Sequence, residues 1–201
     1  MIENTSKEVS IEALRSGDRL EFARLVETYS GQIYRLALKM LGQAQDAEDV
    51  LQNTFLKAFQ HIQGFEGRSS LSTWLYRIAS NEALMLIRRK RPETPLVDLT
   101  PDEEEGESFA PVNLADWCCL PEDELLTSEG RLRLDQAIQR LPEKLRIVFL
   151  LRDIEGLSID ETGQALDLSE TAVKTRLLRA RLRLREDLSA YYAERLGERR
   201  K

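Results

Sequence analysis

The sequence has only two cysteines and one histidine, and it has no apolar run near the roughly 18 residues that cross a membrane. Each scarcity excludes something. Cys118 and Cys119 are adjacent, so they suit neither a loop-closing disulfide nor the CxxC spacing of a zinc site, and His61 has no histidine companion. A structural metal is therefore not expected, and neither is a cofactor. No glycine-rich phosphate loop and no His-containing catalytic set is present, so neither bond chemistry nor a small-molecule substrate is expected. The opening "MIENTSKEVSIEALRSGD" lacks the basic head and apolar middle of a secretory signal, which makes the cytoplasm the expected location.

Alternating strand patterns and Asn-Gly hairpins are also missing, whereas apolar residues recur at helical spacing. The expected fold class is all-α. Helices are expected near 8–16, 18–41 with a break around Ser30-Gly31, 45–63 and 71–91. A second set is expected near 122–140, 142–155, 158–166 and 169–190. Pro142 suits a first helical turn. "SIDE", Ser158 to Glu161, has the pattern of a capping box.

Net positive charge is lacking overall, yet the deficit is local. Formal charge is −6, but Pro92 to Glu129 holds twelve acidic residues and no Lys or Arg, leaving the remainder at +6. Five of the six prolines fall between Pro92 and Pro121. Structureless connections longer than about 12–15 residues are uncommon inside a compact domain. The chain is accordingly divided into a helical domain at 1–91, an acidic, Pro-rich flexible linker at 92–121, and a second small helical domain at 122–201. Phe109, Val112, Leu114, Trp117 and Leu120 make the linker more apolar than a plain spacer needs, so a docking segment stays open beside a solvated tether.

Basic residues flanking an acidic middle point to a polyanion partner. In "SETAVKTRLLRARLRLRED", Val173, Leu177, Ala180, Leu184 and Leu188 project as one apolar stripe at 3.6 residues per turn. Opposite lie Thr171, Thr175, Leu178 and Leu182. Lys174, Arg181 and Arg185 flank that ridge on one side, and Arg176, Arg179 and Arg183 on the other. A short helix, the turn "LDLS" and this longer basic helix have the proportions of a helix-turn-helix. Long cations reach phosphates on both groove walls while the ridge faces base edges. In the helix 71–91 the face away from its apolar stripe carries Thr73, Trp74, Arg77, Asn81 and Arg88. An exposed aromatic among cations suits single-stranded DNA. A large aromatic at helical spacing is also a common core residue, so spacing leaves Trp74 between the two roles.

Three segments together, "DAEDVLQNTFLKAF", "FEGRSSLSTWLYRIASNEALMLIRRKR" and "LPEKLRIVFLLRDIEGLSIDETGQALDLSETAVKTRLLRARLRLRED", resemble a bacterial sigma factor of the extracytoplasmic function group. The resemblance implies a promoter-recognising initiation factor whose partners are core RNA polymerase and promoter DNA, both duplex and single-stranded. An anti-sigma partner is implied by the resemblance alone. It assigns Asp46, Glu48, Asp49, Gln52 and Asn53 to polymerase binding. It assigns Arg68, Ser69, Ser70, Trp74, Arg77 and Asn81 to minus-ten recognition and opening. Thr171, Lys174, Thr175, Arg176, Leu178 and Arg179 fall to minus-thirty-five reading. The linker, by the same resemblance, threads toward the polymerase active centre and RNA exit path.

Two positions depart from the family pattern. Thr162-Gly163 replaces an apolar-Ala pair, and glycine inside a helix costs roughly 1 kcal/mol against alanine. Glu170 puts a carboxylate near the expected DNA backbone, where it also favours the helix N-terminus. Two rivals use the same residues: a stand-alone repressor or activator binding as a symmetric dimer, and a module whose basic faces bind acidic protein.

Overall fold

The computed structural model describes residues 9–90 and 128–198. The expected linker at 92–121 and the start of the helix expected at 122 lie outside them. The described part is helical throughout, with no strand: α1 Ile11–Arg15, α2 Arg19–Leu41, α3 Ala44–His61, α4 Leu71–Lys90, α5 Ser128–Arg140, α6 Glu143–Phe149, α7 Ile159–Leu166 and α8 Glu170–Glu198. The all-α expectation holds.

Local chemistry explains where the helices begin. Asp18 caps α2 by accepting from the Leu20 and Glu21 amides at 2.8 and 3.3 Å. Such a cap satisfies backbone donors that a first turn otherwise leaves orphaned. The break expected at Ser30-Gly31 is absent, and α2 runs through it. Leu25, Ile33, Leu36, Ala37 and Met40 form one buried stripe across that point. Packing along it outweighs the roughly 1 kcal/mol cost of a helical glycine. The helix stops at Gly42, whose φ of 73° is left-handed.

The helix expected at 142–155 is continuous but not uniform. After α6, Leu150–Ile154 widens into a π turn, closed by the Glu155 amide donating to the Leu150 carbonyl at 2.9 Å. The expected capping box is present: the Glu161 amide donates to Ser158 Oγ at 3.1 Å, and the Ser158 amide to Glu161 Oε2 at 2.8 Å.

Two helical sets, α1–α4 and α5–α8, build the molecule. Buried leucines, isoleucines and alanines from both feed the core. α4 is enclosed by α2 and α3 of its own set and by α7 of the other, and the C-terminal end of α2 meets α5 and α6.

Candidate nucleic-acid interface

The second set presents α8. Ser169 begins it, with Oγ accepting from the Ala172 amide at 3.2 Å. Val173, Leu177, Ala180, Leu184 and Leu188 are all buried, so the stripe read from periodicity is the packed face. Thr171, Lys174, Thr175 and Leu178 are exposed, and Arg176 and Arg179 are half-buried beside them. Leu178 keeps 60% of its surface in water. A large apolar side chain left so open on a basic helix is available to a thymine methyl.

The turn before α8 depends on two backbone features. Asp167 ends α7 in the left-handed region at φ 57°, an unusual place for a non-glycine residue that aspartate tolerates better than most. Gly163 is buried, and a Cβ there would lie 2.8 Å from the Leu168 carbonyl oxygen. The Leu168 amide in turn donates to the Gly163 carbonyl at 3.0 Å. Read from sequence, glycine here is a helix weakness. In the fold it is the residue that lets the chain turn this closely, and its propensity cost is set against that approach.

The flanking cations are not equivalent. Arg181 donates through Nε and Nη2 to both carboxylate oxygens of Asp153 in the π turn, at 2.8 and 2.7 Å. This pair holds Arg181 against its own domain, and the hydrogen bond raises the guanidinium pKa further. Lys174 pairs with Glu170 at 2.9 Å one turn earlier, which accounts for the acid in the first turn. Both side chains are more than half exposed, so this contact is weak and exchanges readily.

The first set presents the loop 65–70 and one strip of α4. Phe65 is buried, and Gly67 turns the loop with φ 73°. Arg68 is highly exposed and pairs with Glu66 at 2.5 Å. Ser70 starts α4, its Oγ accepting from the Thr73 amide at 3.1 Å, while Ser69 is half-buried beside it. Trp74 is half-buried, its ring 5.2 Å from Phe65 and tilted by 47°. It is therefore neither a core residue nor a free one: Phe65 props its ring, and the rest of it stays open. Arg77, Asn81 and Arg88 are exposed along the same strip.

The five residues assigned to polymerase binding do not stay together. Glu48, Asp49, Gln52 and Asn53 are exposed on α3, whereas Asp46 is buried and accepts from Lys90 Nζ through both oxygens at 2.6 Å. Asp46 thus ties α3 to the end of α4. Sequence reading missed two neighbours: Leu56 and Phe59 continue the exposed side of α3, at 56% and 51% exposure. Leu56 lies three to four residues from Asn53 and Gln52, and Phe59 three beyond Leu56, and that helical spacing was the available signal.

A basic helix held by a tight helix-turn-helix, joined to a second basic helical set, defines a DNA-reading protein of two parts. Comparison with known proteins gives the class. Residues 25–93 match the Sigma-70 region 2 family and residues 131–184 the Sigma-70 region 4 family. The chain is 38% identical over 178 residues to the ECF RNA polymerase sigma factor SigW of Bacillus subtilis, covering 89% of this chain and 94% of that protein. It is 36% identical over 173 residues to the RNA polymerase sigma-H factor of Pseudomonas aeruginosa, covering 85% and 88%. The fold is also that of CnrH, solved with the cytosolic domain of CnrY. That likeness has a TM-score of 0.64 and 24% identity, covering 90% of this chain and 95% of that one. The chain belongs to the extracytoplasmic function group of RNA polymerase sigma factors. It directs promoter-specific initiation of transcription with RNA polymerase.

Proposed function

We infer that the two exposed basic faces divide promoter recognition between them, α8 reading the minus-thirty-five duplex and the 65–70 loop with α4 capturing the opened minus-ten strand. The observation that carries this is the α8 ridge: Thr171, Thr175 and Leu178 are exposed between cations while the opposite stripe is fully packed. Ridge residues meet base edges, and the cations hold phosphates. On α4, Trp74 offers a ring for stacking, with Arg77 near it for phosphate and Asn81 for a base edge. Unpairing a base costs a few kcal/mol, which a propped ring helps to return.

Glu48, Asp49, Gln52 and Asn53, continued by Leu56 and Phe59, form the surface for core polymerase, with Asp46 acting from beneath through Lys90. The domains divide at 1–91, 92–121 and 122–201. The protein works in the cytoplasm without bond chemistry of its own. An anti-sigma factor is a further partner, since the Bartonella quintana sigma factor RpoE was solved in complex with the anti-sigma factor NepR. Run-off transcription tests the reading. Adding the chain to core polymerase must yield promoter-specific transcripts from genomic templates, and none on any template would sink it.

A further inference from the structure

α4 carries its polar strip on one face and a buried acid on the next. Asn81 is exposed, while Glu82, one residue and about 100° further round the helix, keeps only 7% of its surface in water. A carboxylate so buried needs a cation, because an unpaired charge is costly to take out of water. α3 provides it: Lys57 Nζ donates to Glu82 Oε1 at 2.5 Å. Lys57 reaches in from the surface, with 44% of its side chain still exposed.

This pair controls a part of α4 that little else keys. Past Tyr76 the buried side chains of α4 are Ala79, Ser80, Glu82 and Ala83. Three of them are too small to interlock one helix with another, and Glu82 is the long one. α3 and α4 run antiparallel, since Asp46 near the start of α3 meets Lys90 at the end of α4, and Lys57 late in α3 meets Glu82 nearer its middle. The Lys90 pair lies about 12 Å further along α4, at 1.5 Å per residue, and holds the helix end rather than the turn that carries Asn81. Base capture tolerates little error there, because a binding constellation must be held within about 10–20° of its working geometry.

We propose that Glu82, fixed by Lys57, is a positioning residue for promoter opening: the pair sets the roll of α4 and thereby aims Asn81 at the separated strand. The proposal rests on the division of promoter recognition inferred above. Neither Glu82 nor Lys57 touches DNA. Without the Lys57 ammonium the buried carboxylate turns toward water and carries Asn81 round with it.

The test is permanganate-detected opening of a duplex promoter by holoenzyme built on the full chain, at a temperature where every variant is folded. Asn81→Ala should lower opening about tenfold, the effect of losing one good hydrogen bond to a base edge. Lys57→Gln should lower it by a similar factor. Asn81→Ala added to Lys57→Gln should then cost little more, because the amide is already turned away. Lys57→Arg keeps the cation and should keep opening, and Glu82→Gln added to Lys57→Gln removes the buried charge and should restore most of it. Affinity for core polymerase, read by anisotropy, should be equal in wild type and Lys57→Gln. If Lys57→Gln does not fold, Glu82→Asp, one methylene shorter, draws the pair out of register and should show a smaller loss with the same non-additivity toward Asn81→Ala. Losses that multiply in the double variant, no rescue by Glu82→Gln, or a fall in polymerase affinity that accounts for the lost opening would each overturn the positioning role. Asn81→Ala without effect in the wild-type background would instead fail the reading of α4 itself, and this role with it, so the two failures are told apart.

Discussion

α8 and α4 both expose basic faces, but they are built on opposite plans. α8 buries one stripe and leaves the rest of its circumference to solvent, so cations can stand on both sides of a ridge. α4 is enclosed by α2, α3 and α7, and only a narrow strip containing Trp74, Arg77, Asn81 and Arg88 emerges. A duplex presents two phosphate walls and needs the first plan. A separated strand presents bare rings and one backbone, and a propped aromatic with a few polar neighbours is enough. The contrast lies in packing rather than composition, since both helices are rich in arginine.

The largest expected effect removes the ring that only α4 has. Trp74→Ala should lower permanganate-detected opening of a duplex promoter tenfold to a hundredfold, in line with about 1–3 kcal/mol for stacking one base. On a template with a pre-opened bubble the loss should shrink severalfold. A sharp fall in unfolding midpoint with equal losses on both templates would make Trp74 a support for Phe65 instead.

Next comes the turn that aims α8. Alanine at position 163 gains about 1 kcal/mol of helix propensity but drives its Cβ toward the Leu168 carbonyl, and overpacking of that kind costs about 1–3 kcal/mol. A backbone oxygen gives way less easily than a side chain. Gly163→Ala should therefore lower stability by about 1–2 kcal/mol in urea melts, and an unchanged or higher midpoint would show that the turn has slack.

A smaller effect sharpens the comparison of cations. Asp153→Asn should release Arg181 from its own domain, steepening the salt dependence of holoenzyme binding to promoter DNA by up to one unit of slope. Base preference should not change. An unaltered slope would mean that Arg181 reaches phosphate despite its pair.

The smallest effect is pH-dependent. The hydrogen bond from the Ser158 amide, then that from its hydroxyl, hold the Glu161 carboxyl below the ordinary glutamate pKa. The unfolded chain thus takes up a proton first as pH falls, so this contribution is complete at neutral pH and is lost as pH drops through the ordinary glutamate range. Glu161→Gln should flatten that part of the stability curve by lowering stability slightly at neutral pH while changing it less near pH 4. Urea midpoints at pH 7 and near pH 4 give the comparison.

What the sequence made legible is what depends on near neighbours. The α8 stripe, the capping box and the all-helical fold follow from spacings of three to five residues. The pairs that reshape the site join distant positions: Asp46 with Lys90, Asp153 with Arg181, and Gln139 and Arg146 with the end of α2. No periodicity records them. Gly31 and Gly163 show the same limit from two sides. Each reads as a helix breaker or weakness, yet burial along α2 overrides the first, and the approach of Leu168 requires the second.

The central claim is that the α8 ridge reads sequence while its flanks only hold phosphate. Initiation by holoenzyme from a template library randomised across the minus-thirty-five element, repeated at several salt concentrations, measures this directly. Thr175→Ala, Leu178→Ala and Arg179→Ala should each shift base preference at one or two positions by about 1–3 kcal/mol of discrimination. Identical preferences in wild type and all three variants would show that the helix binds DNA without reading it.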